Sequence, residues 1–434
     1  MQPIPLPLYP FQRRGVARLL RSRRLLFADD MGLGKTIQTI AAIRLLLASG
    51  RIRNALVVAP ATLIPNWLGE FKKWTPEIVV TRGGPARQDR NREWGQLMDQ
   101  CHVVVTNYED IRGSIVAGER LRLDLLVLDE AHRLKNWDSL ATRAMRRIES
   151  GWKWALTGTP LERASEDFAN LLAFLDQDAF TKADAGLPHA VLRSRASRFV
   201  LRRQKSEVMT QLPSVVRRHE RIGMHGIQAS AYRRAIASQS DDNPLADFNR
   251  LRTICDYDPQ SGESAKINRV IEILSQVREA GEKAVVFSYL IEPLQLIRRR
   301  LHTMAVKHEV LVGTMEADER EASINSFKTG EATALLASMR VASEGLTLVE
   351  ANHVLFVNRW WNPSLNQQAT DRVVRIGQVR TVFVYSFTVE DTLEEELDRI
   401  LESKEQLFDD LIGHLGRSSQ RLSELLSHHG VMPD

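Results

Sequence analysis

The chain has 434 residues, 43% of them hydrophobic, 26% charged and 6% aromatic, with a formal net charge of +5. That mix belongs to an ordinary globular protein and excludes collagen-like, disordered and disulfide-scaffold classes; at about 150 residues per domain it predicts two or three domains. Cys101 and Cys255 are too few for a disulfide framework or a zinc cluster, the start lacks the features of a signal peptide, and no apolar run reaches the roughly 18 residues of a membrane span, so a soluble intracellular protein is expected.

In chain order, short apolar runs at 25–28, 55–59, 103–106, 125–128 and 154–157 read as strands. Their near-continuous apolar character predicts a parallel sheet covered on both faces. Between them lie helical patterns such as 36–48, where Ile37, Ile40, Ala41 and Leu45 share a face. The first strand leads into Asp29-Asp-Met-Gly-Leu-Gly-Lys-Thr36, the strand–loop–helix setting of a phosphate-binding loop. There Gly32 and Gly34 let backbone N–H groups turn toward phosphate oxygens, Lys35 would reach the β- and γ-phosphates, and the Thr36 hydroxyl would take a Mg²⁺ position. The full pattern has Gly where Asp29 stands, so a Gly-rich turn without a ligand is the alternative. The fourth strand ends in Asp129-Glu-Ala-His132. Asp129 suits a Mg²⁺ ligand, and Glu130 suits the orientation and deprotonation of an attacking water; solvated acids at a strand end are the bland reading.

Residues 162–262 are mainly helical in pattern, interrupted at Leu212-Pro213. Within 181–222 stand ten basic groups against Asp184, Glu207 and Glu220, which suggests either a polyanion-binding face that includes Arg193, Arg195 and Arg198 or a solvated helix surface. A second set of strands follows at 284–287, 309–312, 334–337, 354–357 and 382–387, giving two α/β halves. Residues 391–412 read as an acidic amphipathic helix, with ten acidic groups against Arg399 and Lys404 over 388–412, and a helix with a frayed tail ends the chain. Arg372 and Arg375 are three apart, so on a helix they would share a face. They could stabilise charge on a transferring phosphoryl group or simply pair with Asp371. Trp360 reads equally as core packing or as a nucleic-acid contact. His428 and His429 lack a third ligand and read as solvent-facing, and Cys255 reads as packing.

Taken in order, Gly-Lys-Thr36, Asp129-Glu-Ala-His132, Thr157-Gly-Thr-Pro160 and Gln368-Ala-Thr-Asp-Arg-Val-Val-Arg-Ile-Gly-Gln378 resemble the motifs of superfamily-two helicases. More narrowly, the chain resembles the Swi/Snf-type double-stranded DNA translocases over roughly residues 8–413. The pieces that carry this are Tyr9-Pro-Phe-Gln12, Ala59-Pro-Ala-Thr-Leu-Ile-Pro-Asn-Trp67, Val105-Thr-Asn-Tyr108, Leu201-Arg-Arg-Gln-Lys-Ser-Glu-Val208, Leu251-Arg-Thr-Ile-Cys255 and Trp361-Asn-Pro363. Ala342 and Ser343 replace the glycine pair usual in the coupling motif at 338–348, Val312-Gly313 lacks the usual Asp, and Asp30 stands where Glu is frequent.

The resemblance implies two RecA-like lobes with helical protrusions between them. The first would span 1–222 with a protrusion at about 162–212; the second would span 223–413 with a protrusion at about 225–262 and a brace helix at about 391–412, leaving 414–434 as a tail. It implies that ATP is bound by Gln12, which would read the adenine edge, and by Asp30, Gly32, Gly34, Lys35, Thr36, Gly345 and Gln368. Thr36 and Asp129 would hold Mg²⁺, and Arg372 and Arg375 would serve as arginine fingers. Thr62, Thr106, Asn107, Tyr108, Arg340, Trp360 and Asn362 would grip double-stranded DNA through its phosphates, which carries no base specificity. The expected activity is ATP-driven translocation along duplex DNA without unwinding; the rivals are a strand-separating DNA or RNA helicase and a non-enzymatic, ATP-gated DNA-binding scaffold. With no targeting module evident, a cytoplasmic protein of bacterial, archaeal or viral origin is expected, or a nuclear one in a eukaryote.

Overall fold

The computed structural model describes residues 7–84, 96–116, 121–134, 137–158, 164–208, 214–238, 244–339, 346–360, 363–375 and 377–408. Among these residues, thirteen strands form two sheets. The first contains β1 (Arg24–Phe27), β2 (Ala55–Ala59), β3 (Val80–Arg82), β4 (Val103–Asn107), β5 (Arg122–Leu128), β6 (Glu149–Leu156) and β7 (Val200–Leu201), in the order β3-β4-β2-β5-β6-β1-β7. The second contains β8 (Val215–Ile222), β9 (Ala284–Ser288), β10 (His308–Leu311), β11 (Ala334–Ser338), β12 (His353–Phe356) and β13 (Val382–Val389), in the order β10-β11-β9-β12-β13-β8. Every strand pair is parallel.

The apolar runs are continuous because both faces of each sheet are covered. In the first sheet Leu26, Leu56 and Leu126 enter one core while Leu25, Val57 and Val127 enter the other. The second sheet repeats this, with Val285, Leu335 and Val354 on one side and Val286, Leu336 and Leu355 on the other. Side chains alternate across a strand, so a strand buried on both faces has no polar positions to spare.

The chain divides into two compact units, one built from residues 1–210 with 406–434, the other from 211–405. This moves the boundary expected at 222. Strand β8 pairs with β13 along its whole length, from Val215 opposite Val382 to Ile222 opposite Val389, and so belongs to the second unit. The segment expected as a protrusion at about 162–212 begins with a helix that is part of the lobe's own core. The helix Ala164–Leu175 lays Phe168, Leu171, Leu172 and Phe174, all fully buried, into the same core as Leu26 and Leu56. In the second unit, the helices Gly226–Ala237 and Pro244–Asp256 share a small separate core of Ala231, Tyr232, Ala235, Leu251, Ile254 and Cys255 with Val389. The acidic helix runs Leu393–Phe408. No helix among the described residues is long and apolar enough to cross a membrane.

Candidate nucleotide site at the carboxyl edge of the first sheet

Because the first sheet is wholly parallel, the residues that follow its strands collect along one edge, where open α/β sheets bind ligands. The loop 29–34 follows β1, Asp129 and Glu130 follow β5, and Thr157 follows β6, the strand between those two. Gly34 sits at φ +76° as the residue before the helix Lys35–Ala48, a left-handed turn that glycine adopts without strain. A side chain there would also meet Gln12, whose Nε2 lies 2.7 Å from the position of a Cβ. The loop therefore opens directly onto a helix N-terminus, whose free N–H groups and dipole favour an anion.

Lys35 Nζ donates to the carbonyls of Asp29 at 2.7 Å and Asp30 at 3.3 Å. Burial lowers its pKa, and Glu130, Asp29 and Asp129 oppose that shift. Asp129 accepts from Trp67 Nε1 at 2.7 Å on Oδ2 and from the Glu130 N–H at 2.9 Å on Oδ1. Burial, and then the neighbouring Glu130, raise its pKa to about 6. Such a shift marks a carboxylate that gains from a cation. Glu130 takes φ +49°, an uncommon conformation for a non-glycine residue, and its Oε2 lies 3.2 Å from His132 Nδ1. Two hard oxygens, the Thr36 hydroxyl in the first helical turn and the Asp129 carboxylate, fit a Mg²⁺ that also takes phosphate and water ligands. Among the described residues no group of three or more His, Cys, Asp or Glu could hold a metal ion.

Several expected ligands are turned to other work. Gln12 is buried; its Oε1 accepts from Tyr9 N at 3.0 Å and its Nε2 donates to the Leu33 carbonyl at 3.3 Å, so its amide braces the loop. Asp30 accepts from Lys205 N at 3.0 Å and pairs with Arg202 at 3.3 Å. Asp29, the departure from the usual glycine, is fully buried and paired with Arg203. Sequence reasoning missed Trp67, Arg202 and Arg203 as parts of this site. Trp67 lay in a quoted motif without a role, and an acid in a buried loop was the signal that a cation had to meet it.

The candidate DNA contacts separate in the same way. Thr62 is exposed on the short helical turn Ala61–Leu63. Thr106 is fully buried on β4, an interior strand; Asn107 donates to Asp110 at 2.8 Å and accepts from its N–H at 2.7 Å, capping the helix Tyr108–Val116. Tyr108 is buried and donates its hydroxyl to the Asp129 carbonyl at 2.7 Å. Of these three side chains, Tyr108 therefore backs the Asp-Glu pair, Asn107 caps a helix and Thr106 lies inside the sheet. In the basic segment, Arg202 and Arg203 are buried, Arg195 pairs with Asp184 and donates to the Ala179 carbonyl, and Arg193 is half-buried. Arg198 is exposed beside the Phe199 ring.

In the second unit, the helix Pro363–Thr370 stops before Arg372, so Arg372 and Arg375 stand on a turn and do not share a helix face. Val373, Val374 and Gln378 anchor that turn; the Gln378 amide donates to the carbonyls of Val349 at 3.0 Å and Ala351 at 2.7 Å. Arg375 donates to Thr347 Oγ1 at 2.8 Å. Gln368 is buried, and Trp360 packs edge-on against Tyr289 at 5.5 Å, partly buried on the sheet core. Arg340, Gly345 and Asn362 lie outside the described residues.

A putative ATP-dependent helicase/translocase YwqA of Bacillus subtilis (strain 168) is 29% identical over 467 residues, covering 97% of this chain and 51% of its own. An uncharacterized ATP-dependent helicase of Mycoplasma pneumoniae is 28% identical over 412 residues, covering 88% of this chain and 39% of its own. The chain thus spans about half or less of these relatives' length. A solved structure, the Sulfolobus solfataricus SWI2/SNF2 ATPase core in complex with dsDNA, aligns over 99% of this chain and 97% of its own at 26% identity, with a TM-score of 0.48. The helicase conserved C-terminal domain matches residues 265–377. The SNF2-related domain matches residues 11–284, well over half of the sequence, and the chain belongs to that family.

Proposed function

We propose that the chain hydrolyses ATP and uses the cycle to move along double-stranded DNA without separating its strands. The observation that carries this reading is the gathering, on one sheet edge, of the Gly34–Lys35 helix start, the Asp129–Glu130 pair and Thr157. Lys35 holds the β- and γ-phosphates, leaving the two carbonyls that it now occupies. Thr36 and Asp129 hold Mg²⁺, which neutralises phosphate charge when bound, and Glu130 orients and deprotonates the attacking water. Arg372 and Arg375 supply the positive charge that the transferring phosphoryl group needs. Thr62, Arg198 and Trp360, with Arg340 and Asn362, take DNA phosphates, so binding is sequence-independent and weakens steeply with salt. The helices over 226–256 serve as a protrusion onto the duplex and Leu393–Phe408 as its brace. The bacterial relatives favour work in the cytoplasm.

The test is ATP turnover with duplex DNA, single-stranded DNA, RNA and no polymer, run beside displacement of a third strand from a triplex and unwinding of a forked duplex. Duplex-stimulated turnover with triplex displacement and no unwinding is expected. Efficient unwinding transfers the assignment to a strand-separating helicase, and DNA binding without turnover to an ATP-gated scaffold.

A further inference from the structure

The phosphate-binding loop is gripped from behind by a segment that the chemistry above does not use. After β7 pairs with β1, the two chains stay bonded past the end of the sheet: Ala28 N donates to the Leu201 carbonyl at 2.8 Å and Asp30 N to the Arg203 carbonyl at 3.0 Å. Arg202 donates to the Ala28 carbonyl at 3.1 Å and reaches the Asp30 carboxylate. Arg203 does more. Its Nε lies 3.1 Å from both carboxylate oxygens of Asp29, its Nη2 donates to Asp29 and, at 2.9 Å, to Gln38 Oε1, and its Nη1 donates to the Phe11 carbonyl.

One guanidinium thus touches the first residue of the loop, the helix after it, and the helix that carries Gln12. Gln38 carries the connection on, donating through Nε2 to the loop carbonyls of Leu33 at 3.0 Å and Gly34 at 3.3 Å. There is little slack. A Cβ at Gly15, on the helix Pro10–Arg21, would fall 1.9 Å from Gln38 Oε1 and 2.7 Å from Arg203 Nη2, so a larger residue there would have to push these two side chains out of their bonds. Turning Leu33 and Gly34 carbonyls toward Gln38 leaves the opposite side of those peptides to face a phosphate. A planar, five-donor fork is suited to this, and an ammonium is not.

We propose that Arg203, assisted by Arg202, is a positioning residue that sets the geometry of the phosphate-binding loop and ties it to the chain segment leaving the first unit. The unit boundary falls at residue 210, seven positions after Arg203, and the second unit's β8 begins at Val215. The Asp29 and Asp30 carbonyls, on the stretch that the two arginines hold, also accept from Lys35 Nζ.

The inference rests on the loop being the ATP site, and the experiment separates the two. Arg203→Lys keeps the charge and removes the fork; the double variant Asp29→Asn with Arg203→Gln leaves no unpaired charge in the core. Both are compared with the wild type for melting temperature, affinity for a fluorescent ADP analogue, and kcat and KM for ATP at saturating duplex DNA. Folded variants with KM raised by ~10- to 100-fold and kcat changed much less are expected, a misplacement effect. Wild-type KM in either folded variant overturns the proposal. So does loss of fold in both, which would assign the clamp to stability alone. A wild type that binds no nucleotide brings down the functional reading and this inference with it, whereas wild-type turnover with unaffected variants brings down this inference only.

Discussion

Two buried charge clusters, one in each unit, are finished differently. In the second, Lys266 is fully buried between Asp256 at 2.9 Å and Glu394; Asp256 also accepts from Asn358 Nδ2 at 2.7 Å, and Glu394 from Val389 N at 2.9 Å. Burial alone would lower the Lys266 pKa, and the two carboxylates reverse this and hold it well above the ordinary lysine value. In the first unit, Asp129 keeps a raised pKa in spite of Trp67 and Lys35, as Glu394 does in spite of Lys266, but Glu130 beside it also sits in a left-handed conformation that costs ~1–3 kcal/mol. A buried charge whose bonds are completed by its own chain holds elements together. An acid pair at a strand end, one of the two in a strained backbone conformation, is the kind of site at which a bound cation relieves the penalty.

Glu130→Gln should break the comparison on the functional side alone. Turnover should fall by ~10²- to 10⁴-fold while nucleotide binding and melting temperature hold, as measured by steady-state hydrolysis, filter binding and thermal melts. Near-normal turnover would mean that the carboxylate pair is misassigned.

Lys266→Met should break it on the structural side, because it strands two carboxylates in the core. A loss of ~3–5 kcal/mol in denaturant unfolding of the second unit is expected, with nucleotide affinity unchanged. The sign of its pH dependence follows from the raised pKa: the stabilisation is complete below the ordinary lysine value of ~10.4 and is lost only as pH rises through the higher folded value. The deficit of the variant should therefore be the same at neutral pH and near the ordinary lysine pKa.

A smaller effect sharpens the distinction between paired and unpaired surface charge. Neutralising Arg193, Arg195 and Arg198 singly should lower the salt slope of DNA binding by ~0.9 for each phosphate no longer neutralised, most for exposed Arg198 and least for Arg195, which Asp184 and the Ala179 carbonyl already engage. Equal slopes in all three would mark a solvated face. The smallest effect concerns the cysteines: burial pushes the Cys255 thiol up, so alkylation of the native protein should label Cys101 first, as read by peptide mass spectrometry.

The central strands were legible to within a few residues, since β2, β9 and β11 are buried at every position and contain no polar residue until the final serine of β9 and β11. Strand β8 was not, because Arg217, Arg218, His219, Glu220 and Arg221 hide a strand in what reads as a charge run. The loop lysine and the carboxylate pair were legible because their motifs are local. The clamp was not, since Arg203 and Asp29 are 174 positions apart. Thr106 and Tyr108 were expected to reach DNA by resemblance alone, and burial could not be read from the motif: β4 is interior and both of its faces are covered. Arg372 and Arg375 would share a face only on a helix, and spacing could not show that the helix ends first, at Thr370.

The same charged strand bears on how the molecule avoids its own kind. β8 is an outer strand of its sheet and mostly exposed, so its unpaired backbone edge is a template on which another chain could add a strand. Arginines along it, with Arg218 lying over the Phe383 and Tyr385 rings and Arg221 paired with Glu390 and Glu395, set a crowded, hydrated margin against such pairing. Positive charge that the sequence left open between a polyanion-binding face and a solvated surface is, along this strand, a guard against edge-to-edge aggregation.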